Sequence, residues 1–109
     1  MLEDIVRKGR LLDVYGPLLT ERQHRCMELY FFMDLSLAEI GEELHISRQG
    51  VYDMLHRAGN ALEEYERRLH LLERIDTLRT GLSEAASLLE QGDAVQIEKA
   101  KHILHHLDI

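Results

Sequence analysis

The chain has 109 residues, of which 45% are hydrophobic and 30% are charged, with a formal net charge of −7. This length is sufficient to bury a core without disulfides or metal ions, and the composition favours a globular fold over an intrinsically disordered chain. The excess of acids argues against nonspecific coating of nucleic acid, which needs clustered cations. Strong helix formers dominate and β-branched residues are sparse, so the composition predicts an all-α fold.

The sequence also limits the compartment in which the protein is expected to work. Its single cysteine, Cys26, can form no disulfide within the chain, which is typical of a reducing environment. No segment approaches the roughly 20 apolar residues of a membrane span, and the acidic start of the chain is unlike a secretory signal. We therefore expect a cytoplasmic protein with no membrane insertion.

The first third of the sequence predicts two helices. Residues 2–15 place apolar side chains along one helical stripe, which consists of Leu2, Ile5, Val6, Leu12 and Tyr15. Gly16-Pro17 should end this helix, since proline lacks an amide donor and disfavours helical geometry before it. A Thr-x-x-Gln capping box at Thr20 then begins a second helix. Its predicted apolar face is formed by Cys26, Leu29, Tyr30 and Met33.

The next segment has the pattern of a helix-turn-helix. After a break at Asp34-Leu35, a Ser-x-x-Glu capping box at Ser36 begins a short helix that should extend through Leu44. His45-Ile46-Ser47 forms a three-residue turn, and Ser47 caps a helix that begins at Arg48. Gly41 stands where the two helix backbones must approach closely. Five apolar residues are predicted to face inward: Ile40, Leu44, Ile46, Val51 and Met54.

The rest of the chain predicts further helices. No stop signal lies between Arg48 and Leu78 apart from Gly59-Asn60, so we expect one long helix, either straight or bent there. Thr80-Gly81 should end it, followed by a short helix over Leu82–Gln91 and a last one to about Leu107. We predict a helix-turn-helix domain over 1–62 and a helical extension over 63–109, packed as one unit.

The helix after the turn carries the candidate DNA contacts. In such a motif its first residues meet base edges in the major groove. Arg can form a fork with guanine and Gln with adenine. The predicted base-facing residues are Ser47, Arg48, Gln49, Tyr52 and Asp53. Three further arginines are predicted to contact phosphate: Arg57 on the same helix, and Arg22 and Arg25 on the helix before the motif.

The local charge leaves a second interpretation open. The segment from Leu18 to Asn60 contains four arginines and seven acidic residues, which is a weak electrostatic footprint for DNA binding. Helix-turn-helix units also occur in proteins that contact only other proteins or RNA.

A seven-residue repeat of leucines follows the motif. Leu55, Leu62 and Leu69 recur at this spacing, interleaved with Ala58, Tyr65 and Leu72. The pattern favours a homodimer in which Leu55, Leu62, Tyr65, Leu69 and Leu72 pair two long helices. The alternative is packing against the chain's own terminal helices.

We find no constellation of residues that predicts catalysis. The sequence contains no glycine-rich phosphate loop, no nucleophile-elbow pattern and no His-Glu-x-x-His. His102, His105 and His106 are best interpreted as residues near a helix C-terminus, which favours cations, rather than as zinc ligands. We therefore predict a protein that is not an enzyme and has no cofactor or metal.

The segment from Leu18 to Leu62 resembles region 4 of bacterial sigma factors, and the chain is more similar to the YlxM family of small bacterial proteins. The family resemblance is carried by Asp34–Ile40 and Ile46–Asp53, and extends through Glu64-Tyr65-Glu66, Leu69 and Leu71. It implies a sigma region 4-like helix-turn-helix bundle with a long central helix and a C-terminal helical extension.

The resemblance also implies a biological setting. Genes of this family commonly neighbour those of the signal recognition particle GTPases, which implies a DNA-binding regulator associated with protein targeting. The alternative is an accessory factor that binds the signal recognition particle protein or its RNA without binding DNA. Gly50 departs from the alanine expected at its position, which either loosens the helix or permits a close backbone approach.

Overall fold

The computed structural model describes residues 2–107, and within this range it contains six α-helices and one short 3₁₀ helix. The helices are α1 (Leu2–Tyr15), the 3₁₀ helix (Gly16–Leu18), α2 (Glu21–Phe31), α3 (Leu37–Leu44), α4 (Arg48–Leu69), α5 (Leu71–Gln91) and α6 (Ala94–His105). The all-α prediction is confirmed. None of the described helices has both the length and the apolar character needed to cross a membrane.

The chain forms two compact units, Met1–His70 and Leu71–Ile109. In the first, here called the helix-turn-helix unit, α4 packs against α1, α2 and α3. In the second, here called the C-terminal hairpin, α5 packs against α6 across the link at Gly92-Asp93. The expectation of a boundary at residue 62, with both parts packed as one unit, stays a prediction.

Side-chain caps begin the helices at the predicted places. Thr20 Oγ1 accepts a hydrogen bond from the Gln23 amide at 3.2 Å, and Gln23 Oε1 accepts one in return from the Thr20 amide. Ser36 and Glu39 form the same reciprocal pair at the start of α3, at 3.1 and 2.9 Å. Such boxes satisfy amides that the first helical turn leaves unpaired, so both helix starts were readable from sequence.

The core of the helix-turn-helix unit differs in part from the predicted apolar faces. Leu12 and Tyr15 of α1 are buried as expected, but Ile5 and Val6 are exposed, at 44% and 55%. The side chain of Leu2 lies outside the described part of the structure. Met27 of α2 is fully buried, whereas Tyr30 is exposed, and Met33 is exposed because it lies beyond the end of α2 at Phe31. The buried hydrophobic residues of the unit are Leu11, Leu12, Tyr15, Leu19, Cys26, Met27, Leu29, Ile40, Val51, Ala58 and Leu62.

The prediction of one long helix from Arg48 to Leu78 is wrong. Helix α4 ends at Leu69 because His70 adopts a left-handed conformation, with φ 54° and ψ 29°. The His70 amide donates to the Glu66 carbonyl at 2.9 Å and closes the last turn. Gly59-Asn60 lies inside α4 without ending it.

Helix α5 also differs from the prediction, because it continues through Thr80-Gly81. Gly81 is buried in the hairpin, and a β-carbon at its position would collide with the Leu107 side chain. The glycine therefore serves a close packing contact instead of a helix end. The last helix ends at His105, two residues before the predicted end.

Polar contacts join α1 to α4. Arg7 forms a two-pronged contact with Glu63, at 2.9 Å for each nitrogen, and Lys8 Nζ lies 2.8 Å from Glu63 Oε1. Deeper in the unit, the Tyr15 hydroxyl donates to Glu66 Oε1 at 2.6 Å. The hydrogen bond from Arg7, followed by that from Lys8, lowers the pKa of Glu63 from 4.5 to about 2.

We predict that Glu63→Gln lowers the free energy of unfolding at neutral pH by about 1 kcal/mol. The loss is modest because solvent screens the partly exposed carboxylate and weakens its attraction to Arg7 and Lys8. A carboxyl group whose pKa is lower in the folded state stabilises the fold above its unfolded pKa. This contribution is lost as the pH falls from 4.5 towards 2. Urea denaturation over this pH range should therefore show the two proteins converging in acid.

Glu64→Gln provides a matched control for this prediction. Glu64 is bound to Arg67 and Arg68 of its own helix, so its loss breaks no contact between helices. A smaller effect is expected for this variant. An equal effect of both variants would contradict the assignment of the stability to the bridge between α1 and α4.

Candidate nucleic-acid interface

The turn between α3 and α4 depends on one close backbone approach. His45 occupies the left-handed region, with φ 57° and ψ 45°, as its position in the motif predicts. The Ile46 amide then donates to the Gly41 carbonyl at 2.9 Å. An ideal β-carbon on Gly41 would lie 2.7 Å from the Ile46 carbonyl oxygen. Only glycine permits this spacing, so the prediction of a small residue at this position is confirmed.

A hydrophobic cluster fixes α4 relative to the two helices before it. Ile40 and Val51 are fully buried in it with Cys26 and Leu29. Leu35, Leu37, Leu44, Ile46, Met54 and Leu55 pack against this cluster. All five residues that the motif predicts to face inward are thus part of the core, and the helix-turn-helix prediction is confirmed at the level of packing. The opposite face of α4 is consequently turned outward.

The predicted base-facing residues lie on that outward face. Arg48, Gln49, Tyr52 and Asp53 are exposed, with Tyr52 at 54%. Ser47 is also exposed, but its hydroxyl accepts a hydrogen bond from the Gly50 amide at 2.9 Å, so that it acts as the cap of α4.

Two of these side chains already have partners within the helix. Gln49 Nε2 donates to Asp53 Oδ1 at 3.1 Å, one turn along. The Tyr52 ring lies parallel to the His56 ring, with their centroids 6.2 Å apart. Because both contacts are exposed, Gln49 can exchange its acceptor for a base edge without breaking the fold.

The four arginines differ in how far they are engaged. Arg22 Nη2 donates to the Leu44 carbonyl at 2.8 Å and so caps the end of α3. Arg25 lies 3.9 Å from Glu43, with both side chains about half exposed. Arg48 and Arg57 are exposed and form no hydrogen bond or ion pair with any residue from 2 to 107. Of these four arginines, the two that are unpaired are therefore both on α4.

Gly50 permits a close contact at the start of α4. An ideal β-carbon there would lie 3.2 Å from Ser47 Oγ and 3.7 Å from the Ile46 side chain. This spacing is tighter than most β-carbons tolerate, which supports close approach as the reason for glycine at this position.

The structure does not gather the predicted dimer residues on one exposed face. Leu62 is fully buried in the helix-turn-helix unit, and Leu55 packs against the cluster around Val51. The Tyr65 hydroxyl donates to the Leu18 carbonyl at 3.3 Å, and its ring lies 5.9 Å from that of Tyr15. Leu69, at 49%, is the exposed member, while Leu72 belongs to the next helix. Most of the seven-residue repeat thus serves the core of the chain itself.

A cleft that was not predicted from the sequence lies beside the candidate interface. Helix α4 contributes Tyr52, His56 and Asn60 to it, and α2 contributes Tyr30 and Phe31. The three α4 residues follow one another at intervals of four, which places them on one helical stripe. This spacing was visible in the sequence, but it became informative only once the aromatic side chains of α2 were known to lie opposite.

Two helices joined by a glycine-dependent turn, the second of which exposes one face, define a helix-turn-helix protein. Residues 2–103 match the family model described as "Putative helix-turn-helix protein, YlxM / p13 like". The chain belongs to this family.

Several bacterial relatives support the assignment. The chain is 44% identical over 96 residues to a UPF0122 protein of Shouchella clausii, covering 88% of each chain. It is 39% identical over 108 residues to a UPF0122 protein of Bacillus mycoides, covering 99% of this chain and 97% of the relative. A UPF0122 protein of Bacillus anthracis is 38% identical over the same length. The similarity thus extends over both compact units.

Proposed function

We propose that this protein binds duplex DNA through the N-terminal part of α4 and acts as a regulatory protein. The observation that carries the proposal is the exposure of Arg48, Gln49 and Tyr52 on the outward face of a helix whose inward face is packed into the core. An exposed helix of this kind matches the width of the major groove.

The distribution of charge shapes the expected mode of binding. Arg48 lies in the first turn of α4, where a side chain reaches base edges, and Arg57 lies about 13 Å farther along the helix at 1.5 Å per residue. Arg57 is therefore assigned to phosphate. Arg22 and Arg25 face acceptors of the protein itself and can contribute only after exchanging them.

A salt titration of binding to duplex DNA tests the proposal directly. Each neutralised phosphate contributes about −0.9 to the slope of log K against log salt. The two unpaired arginines predict a slope near −1.8, and engagement of all four predicts about −3.6 per protomer. Fluorescence anisotropy with a labelled duplex from a random-sequence selection would measure it. Binding that is absent, or independent of salt, would refute DNA recognition.

The acidic character of the chain favours one competing function. With seven acids against four arginines from Leu18 to Asn60, the same unit is also suited to a partner protein, and the family resemblance implies a targeting-pathway component. Pull-down with purified signal recognition particle protein and its RNA, beside the duplex titration, separates the two functions. Binding to either component without duplex binding would favour the accessory role.

We further propose that the protein acts as a homodimer, because pairing of half-sites is how helix-turn-helix proteins of this size usually gain affinity. Leu69 is the residue of the predicted seam that remains exposed on α4. Sedimentation equilibrium at micromolar concentration should show a dimer, and Leu69→Lys should weaken it. A single species of 12.7 kDa at all concentrations would contradict this proposal.

A further inference from the structure

A cleft of about 470 Å³ lies within the helix-turn-helix unit, directly beside the candidate interface. Four aromatic rings line it: Tyr30 and Phe31 from α2, and Tyr52 and His56 from α4. Leu37 and Leu55 contribute further apolar surface, and Asn60 lies one turn beyond His56. This volume falls within the range of small-molecule sites, which combine apolar walls with a few polar groups.

Four of the polar side chains that line this cleft form no hydrogen bond within the described residues 2–107. The Tyr30 hydroxyl, the Tyr52 hydroxyl, the His56 ring and the Asn60 amide form no hydrogen bond with any residue of the described range 2–107. A side-chain amide offers one donor and one acceptor side by side. The cleft therefore presents aromatic side chains together with a paired donor and acceptor.

The charges at the rim define what the cleft can accept. Lys8 lies there, but its ammonium group is bound to Glu63 at 2.8 Å and is not free to hold an anion. Asp4, also at the rim, repels negative charge. A phosphorylated or otherwise anionic ligand is therefore disfavoured, and an uncharged one is preferred.

We propose that this cleft binds a neutral planar heterocycle of the nucleobase or nucleoside class. The aromatic rings of the cleft stack on the plane of the ligand. The Asn60 side-chain amide pairs with a ligand edge that offers one donor and one acceptor, as asparagine does with adenine. Since Tyr52 belongs both to the cleft and to the face assigned to DNA, a bound ligand changes the position available to the Tyr52 ring. The ligand thereby modulates duplex affinity, a step that rests on the proposed function.

Adenosine is the probe for the first experiment, added to the full-length protein without DNA. Two-dimensional amide NMR should show saturable shifts at Tyr30, Tyr52, His56 and Asn60.

Asn60→Ala should weaken the affinity for adenosine about tenfold, because one bidentate hydrogen-bonded pair is lost. The variant should keep the fold, since alanine is the stronger helix former. Gln91→Ala removes an exposed helical amide elsewhere and should leave adenosine affinity unchanged. Adenosine 5′-monophosphate should bind more weakly than adenosine.

Two results would overturn the site. One is the absence of saturable shifts with millimolar adenosine, and the other is an adenosine affinity that Asn60→Ala leaves unchanged.

The regulatory step is tested separately by repeating the duplex titration with and without adenosine, because coupling between two ligands is reciprocal. Adenosine binding without duplex binding would sustain the cleft and refute the regulatory step. Duplex binding that adenosine does not alter would also refute the regulatory step, while leaving DNA recognition intact.

Discussion

Replacing Gly41 with alanine is expected to lower the free energy of unfolding by about 3 kcal/mol, at the upper end of what overpacking costs. The added β-carbon would lie 2.7 Å from the Ile46 carbonyl oxygen. This oxygen belongs to the backbone of the turn, so it cannot move aside without shifting Ser47 and the start of α4. Urea denaturation monitored by circular dichroism measures the loss.

Gly59→Ala is the matched control, since it adds the same methyl group to a buried helical glycine of the same unit. Its β-carbon would lie 3.4 Å from Lys8 Cε, the end of a flexible side chain. Because glycine in a helix interior costs about 1 kcal/mol relative to alanine, this variant should be as stable as the original protein or more stable. Comparable losses in both variants would show that the turn is not the cause.

The helix-turn-helix was predictable because its signals are local. The capping boxes at Thr20 and Ser36 each act over three residues, and Gly41 precedes the turn by one helical turn. The alternation of inward and outward side chains on α4 follows from helical geometry once the start at Arg48 is known. The exposed face of α4 was therefore available from sequence.

The end of α4 was not predictable in the same way. His70 adopts a left-handed conformation with no glycine, asparagine or proline to announce it, and Arg67 and Arg68 before it are good helix formers. His45 does the same in the turn, but there the flanking motif fixed its position. At residue 70 no such motif surrounds the histidine, so the local sequence carried no signal that the helix stops.

The seven-residue repeat shows a similar limit. Spacing identifies which residues share a helical face, but not whether that face meets the same chain or a second copy. Leu62 is fully buried in its own unit, where α4 packs against α1, α2 and α3. Tyr30 and Met33 are the converse case: both continue the apolar spacing of α2, but Tyr30 is exposed and Met33 lies beyond the end of the helix.

If DNA is recognised as proposed, Arg48→Ala should abolish discrimination at one base position and cost about 1–3 kcal/mol on the preferred duplex, with little change on random sequence. Arg48 is exposed and unpaired within residues 2–107, so the variant removes no contact of the fold and its stability should equal that of the original protein. Competition between selected and random duplexes, followed by fluorescence anisotropy, measures the difference.

Arg57→Ala is the paired test, because it removes an equally exposed and unpaired guanidinium from the same helix. A phosphate contact carries no sequence information, so this variant should weaken selected and random duplexes alike and reduce the salt slope by about 0.9. Equal effects of the two variants on selected and random duplexes would mean that Arg48, like Arg57, contacts only the DNA backbone. Discrimination between base sequences would then have to come from Gln49 or Tyr52, or from the shape of the DNA.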